Sequence, residues 1–215
     1  MRAWAEMFSR FLSARGVLEP YTDADYFAHV DGRPRYDGVR DFLSSRGIAL
    51  AEGEDHDPGD QAPGAETVRG LGNRKNDLVL SLLRREGVAP YPGTVAYLDS
   101  LPGDARLAIV SSSRNAEEVL RAAGLFDRFE HIVDGNLASH EGLPGKPAPD
   151  TYLHGARLLG VDPAATVVYE DAVSGVQSGA AGNFGAVIGV DRGVGAAQLA
   201  AAGATHVVAD LEEIA

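Results

Sequence analysis

Cysteine is absent from the 215 residues, and only two methionines and one tryptophan occur. A chain without cysteine has no disulfides, no thiolate nucleophile, no Cys-ligated zinc and no iron–sulfur cluster. Positive charge is short as well. Lys and Arg number 19 against 31 Asp and Glu, a formal net charge of −12. General nucleic-acid binding needs a positive face, so that class is excluded, while small anions stay open because a few local cations can override the global field. No apolar run approaches the ~20 residues of a membrane span. The opening stretch, MRAWAEMFSRF, is amphipathic and not charged-then-apolar, so export is not expected and the expected location is cytoplasmic. The six histidines lack metal-ligand spacing. What is present is a 45% hydrophobic composition, enough for a real core, at a length that suits one large domain or a core with a small partner.

The first 87 or so residues read as helical. Trp4, Met7, Phe8, Phe11 and Leu12 recur with helical spacing up to a stop at Gly16. Thr22 with Asp23 and Asp25 reads as an N-cap and an acidic first turn. A third helix carries Val39, Phe42 and Leu43 and ends at Gly47. Residues 51–66 are acidic and rich in Gly and Pro, which predicts a long solvated loop. A fourth helix follows, with Leu71, Leu78, Val79, Leu82 and Leu83 as its expected buried stripe.

After Pro90 the pattern changes. Apolar runs at 107–110, 131–133, 166–169, 186–190 and 206–208 alternate with helical stretches. That alternation predicts a parallel sheet covered on both faces, with ligands bound outside the carboxyl ends of its strands. Three strand ends carry chemistry. After Val110 come Ser111, Ser112, Ser113, Arg114 and Asn115, hydroxyls and a guanidinium at a helix start. By residue type alone they suit an oxyanion cradle or an ordinary N-cap. Lys146 lies in a Pro-rich loop, GKPAPD, which suits an anion ligand or a solvated lysine. Glu170 and Asp171 follow the third run, either as ligands of a hard cation or as an N-cap pair.

The ordered set SSSRN, GKPAPD and VVYEDAVSGV resembles the second, third and fourth motifs of the haloacid dehalogenase-like phosphotransferase superfamily. The stretches RAW, GRPR and RKND in the helical part resemble the cap of its β-phosphoglucomutase-like subgroup. The resemblance implies an α/β, Rossmann-like parallel-sheet core over 89–215 with an α-helical cap over 1–88, and it leaves 52–66 as an insertion. It further implies a Mg²⁺-dependent phosphatase or phosphomutase acting on a sugar phosphate. Ser111 and Lys146 match catalytic positions, and Glu170 and Asp171 match metal ligands. Ser112, Ser113, Arg114, Asn115, Arg35, Lys75 and Asn76 match substrate contacts.

One motif of the resemblance is missing. The superfamily attacks phosphate with the first Asp of an Asp-x-Asp-Gly that follows a strand, and no such segment occurs in this sequence. Asp23–Asp25 and Asp55–Asp57 have the spacing without the strand. The expectation is a chain short at its N-terminus by that strand, with impaired activity. The first, central strand of the sheet would then be missing, and its neighbours would either close up or leave a groove. Another chain could supply the strand, and the chain would be a monomer or a homo-oligomer through exposed sheet edges. A non-catalytic phosphate-binding relative, or an inactive fragment, is the alternative.

Overall fold

Apolar spacing places the first four helices. In the computed structural model, which describes residues 1–215, the chain divides into two compact units, Met1–Gly87 and Val88–Ala215. The first unit holds α1 (Arg2–Ala14), α2 (Asp23–His29), α3 (Arg35–Ser45) and α4 (Val68–Glu86). Helix α1 buries Trp4, Met7, Phe8, Phe11 and Leu12, and α3 buries Val39, Phe42 and Leu43. The two stripes meet ring to ring, with Phe8 and Phe42 centroids 4.1 Å apart and Tyr21 edge-on to Phe42. Such pairs add stabilisation beyond the area they bury. Helix α2 starts on a reciprocal cap, in which Thr22 Oγ1 accepts from Asp25 N–H while the Asp25 carboxylate accepts from Thr22 N–H.

Two expectations need correction here. On α4 only the first two turns are buried, through Val68 and Leu71; Leu78, Val79, Leu82 and Leu83 are half-exposed. The core of this unit takes in Val68 and Leu71 and merely borders Leu78. The 51–66 segment is also more than a solvated loop. It is strapped along the start of α4. Ala51 bridges Thr67, Thr67 Oγ1 donates to Asp57 at 2.7 Å, Asn73 Nδ2 donates to the Asp57 carbonyl at 2.8 Å, and Arg74 donates to the Gly59 and Gln61 carbonyls. Glu66 is buried and closes on Arg15 at 3.0 Å. The acidic composition is answered by arginines of the same unit, a pairing that no local sequence window shows.

The second unit alternates as anticipated. Its elements are α5 (Pro92–Ser100), β1 (Ala108–Val110), α6 (Ala116–Ala122), β2 (His131–Val133), α7 (Gly135–His140), α8 (Asp150–Leu159), β3 (Val167–Glu170), α9 (Val173–Ala181), β4 (Ala186–Val190), α10 (Ala196–Ala201) and β5 (His206–Val208). Helix α7 has no apolar period and was not anticipated; the Asp134 carboxylate caps it by accepting from Asn136 and Leu137 N–H. All strand pairs are parallel.

The strands form two ladders, β1-β2 and β3-β4-β5. Helix α8 packs on β1 and β2, α9 packs on β3 and β4, and the two helices touch. The helical layer is therefore continuous where the hydrogen-bonded sheet is not, and β1 and β3 do not close up into a ladder. Ser111 N–H donates to Val133 and Glu130 N–H to Leu107, so odd-numbered β1 residues turn their backbone groups to β2. By alternation, Ala108 and Val110 turn theirs to the opposite edge. All three β1 residues are only half-buried, and Val167 of β3 is 43% exposed. Strands of a parallel sheet covered on both faces are normally buried throughout.

Candidate active site

The carboxyl end of β1 runs into Ser111–Asn115. Ser113 N–H donates to Ser111 Oγ and Asn115 N–H to Ser113 Oγ, each at 3.1 Å. These two amides are thus spent inside the turn. Asn136 Nδ2 holds the Arg114 carbonyl at 2.8 Å, and Gly135 N–H holds the Ser113 carbonyl at 3.1 Å. A Cβ at Gly135 would lie 2.8 Å from the Ser112 carbonyl, so glycine is what allows α7 to brace this turn. Ser111, Ser112 and Arg114 are half-buried, Ser113 is exposed, and Asn115 is buried.

Lys146 is not a solvated lysine. It is buried, and its ammonium lies between the carboxyl ends of two strands that share no ladder. Nζ donates to the Val110 carbonyl of β1 at 3.3 Å, to Tyr152 Oη at 3.2 Å, and to Glu170 Oε1 of β3 in an ion pair. Tyr152 Oη in turn donates to Glu170 Oε1 at 2.8 Å. Glu170 Oε2 accepts from Asp171 and Ala172 N–H, both at 3.1 Å. Burial, reinforced by the Glu170 charge, pushes the Tyr152 phenol well above its ordinary range, so it stays a donor. Gly175 in the first turn of α9 lies directly against the Glu170 carboxylate, where any Cβ would collide with it.

Tyr152 was missed in the sequence. Its signal was available: it shares the buried stripe of α8 with Ala156 and Leu159, and a tyrosine on such a stripe needs a partner for its hydroxyl.

The other expected contacts lie in the helical unit. Arg35 opens α3 and its Nη2 donates to Asn76 Oδ1 of α4 at 2.6 Å. Lys75 stands over the Trp4 ring at 4.8 Å. Burial, with the nearby Arg35 charge, pushes the Lys75 ammonium down to about 8. Gly72 lets α3 approach, since a Cβ there would lie 2.6 Å from the Tyr36 ring and 3.2 Å from Arg35 Cδ. A cation at a helix start beside a second cation is disfavoured on its own. Such local conflicts collect at functional sites. Within this unit the structure brings Arg35, Lys75 and Asn76 together; within the other, Lys146 from its loop joins the strand ends that precede Ser111 and carry Glu170 and Asp171.

Neither Asp-x-Asp pair lies in the α/β unit. Asp25 is consumed by the α2 cap and by Arg46 at 2.8 Å, and Asp57 by Thr67. The Mg²⁺ implied by the resemblance requires open carboxylate oxygens. Asp171 is exposed, but the Glu170 oxygens already accept four donors. No group of three Asp, Glu, His or Cys side chains is placed to hold a metal ion. The residues in this arrangement do not fit a Mg²⁺ site.

The haloacid dehalogenase-like hydrolase family matches residues 1–183. A β-phosphoglucomutase of Mycobacterium bovis is 46% identical over 99% of this chain and 84% of its own length. A fructose-1-phosphate phosphatase of Escherichia coli is 35% identical over 54% of this chain and 60% of its own length. Among solved structures, a β-phosphoglucomutase from Clostridium difficile superposes with a TM-score of 0.76 over 100% of this chain and 84% of its own, at 21% identity, which speaks for the fold alone. No helix is long and apolar enough to cross a membrane.

Proposed function

Because the chain belongs to the haloacid dehalogenase-like hydrolase family, we propose that it is a β-phosphoglucomutase-like phosphotransferase whose ligand is a sugar phosphate. The observation that carries this reading is Lys146, a buried ammonium at the carboxyl ends of β1 and β3, bonded to the carbonyl of Val110, the residue before Ser111. Phosphoryl transfer is mostly positioning and charge neutralisation, and these are the groups for it. Of the three Lys146 contacts, the one to the Val110 carbonyl at 3.3 Å is the longest. A phosphate oxygen replaces that contact and gains a charge-assisted hydrogen bond. The Ser111 hydroxyl donates to the same phosphate. Ser112, Ser113, Arg114 and Asn115 hold the remaining oxygens or a second phosphate. Arg35, Lys75 and Asn76, which match substrate contacts of the family, form a separate cationic cluster within the helical unit. The mutase reading is preferred to the phosphatase reading because the 46% relationship spans nearly the whole chain.

A second reading follows from the two Asp-x-Asp pairs, both engaged in the helical unit. With neither able to attack, the 215-residue chain holds a sugar phosphate and turns it over poorly. Phosphorus NMR on β-glucose 1-phosphate with a trace of the 1,6-bisphosphate separates these outcomes. Conversion to the 6-phosphate supports the mutase, and release of inorganic phosphate supports the phosphatase. Ligand-induced shifts without conversion support the binding-only reading. No shifts and no conversion refute the proposal.

A further inference from the structure

Every oxygen of the Glu170 carboxylate is engaged. A carboxylate offers about four lone-pair sites, and here four donors fill them: Lys146 and Tyr152 on Oε1, the Asp171 and Ala172 amides on Oε2. The ammonium is equally complete, since its three N–H groups go to Glu170, Val110 and Tyr152. The Lys146 and Glu170 side chains are 5% and 8% exposed. We infer that Lys146 is the resident counter-cation of Glu170, so that this acidic strand end is complete without a divalent ion, and that a divalent ion gains Glu170 only by displacing Lys146.

The physical reason is mutual exclusion. A metal ion on Glu170 Oε1 would take a lone pair now held by the ammonium and would stand beside a like charge. The displaced ammonium would remain in a buried pocket whose other partners, the Tyr152 hydroxyl and ring and the Val110 carbonyl, are neutral. Leaving a buried charge without its counter-charge is strongly unfavourable. Two carboxylates in sequence, Glu170 and Asp171, thus do not add up to two metal ligands. One is an internal ion pair and the other is the exposed residue beside it.

The test is Mn²⁺ binding to the full 215-residue chain, followed by the loss of the free-ion electron paramagnetic resonance signal. The unmodified chain is expected to bind Mn²⁺ no more tightly than about 10⁻³ M, the weak end of the range that ligand charge count and rigidity set for divalent sites. Lys146→Met, neutral and of similar reach, is expected to bind at least about tenfold more tightly, because Glu170 is released. Micromolar binding by the unmodified chain overturns the inference, as does unchanged affinity in a folded Lys146→Met chain. Should Lys146→Met fail to fold, Glu170→Gln in the Lys146 background decides. Unchanged weak Mn²⁺ affinity supports the inference, and a marked loss of affinity overturns it. Sugar-phosphate binding is not measured by this assay, so its failure leaves the proposed function standing.

Discussion

Two lysines of this chain sit in opposite electrostatic company. Lys146 in the α/β unit is buried and closed on Glu170, with a tyrosine hydroxyl and a backbone carbonyl completing its donors. Lys75 in the helical unit is half-buried beside Arg35, over the face of Trp4, and has no carboxylate in an ion pair with it. The first is a closed structural circuit. The second is a cation held where burial and the Arg35 charge disfavour protonation. Burial alone therefore does not tell what a lysine is for; the sign of its nearest neighbours does.

The sharpest way to break this contrast is Lys146→Ala. It strands the Glu170 charge, and a broken buried pair costs about 3–5 kcal/mol, to be read from urea denaturation. A loss below about 1 kcal/mol would mean that the circuit is not what holds β1 and β3 at this end. Adding Glu170→Gln should return part of the loss, since the stranded charge goes with it.

Lys75→Met should behave in the opposite way. Folding stability should hold or rise slightly at pH 7, because a penalised charge is removed, while sugar-phosphate affinity falls about tenfold, equivalent to roughly 1.4 kcal/mol. Calorimetric titration and thermal melts read the two effects separately.

Thr67→Ala comes next. Thr67 accepts from Gly70 N–H at the start of α4 and donates to Asp57 in the strap. Loss of such a cap costs about 1 kcal/mol, confined to the helical unit. A Thr67→Ala melt indistinguishable from the parent would make the strap dispensable.

The smallest effect is on pH. The folded pKa of Lys75, about 8, lies below its ordinary value of 10.5. Between these values the unfolded chain holds a proton that the folded chain has released. The Lys75 contribution to stability therefore rises as pH rises from about 8 towards 10.5. Ligand affinity runs the other way, falling as the ammonium is lost above about 8. Both trends should vanish in Lys75→Met; their persistence would assign them to another group.

The alternating half of the fold was legible because each strand is a short apolar run and each following helix has its own stop. The strands at 131–133, 186–190 and 206–208 fall where the pattern put them. Helix α7 was not legible, since GNLASH has no apolar period and is held by the Asp134 cap. The strap at 51–66 was read as solvated because its partners, Arg15, Arg69 and Arg74, lie outside it in the chain. Of the candidate site, Ser111 and Lys146 were readable from residue type and order at strand ends. That Glu170 would face Lys146 and Tyr152 was not, since a carboxylate beside a carboxylate reads as a metal site until the third dimension supplies the ammonium. The same limit applied to α4, whose apolar period continues past Leu71 although the core of its unit does not.

The central proposal is a phosphate-ester site organised by the chain's own residues. Calorimetric titration of the 215-residue chain at pH 7 in EDTA, with β-glucose 1-phosphate in one experiment and glucose in the other, tests it most directly. Saturable binding of the phosphate ester and none of glucose over the same range is the expected result. Equal responses to the two sugars, or no response to the ester, would contradict it.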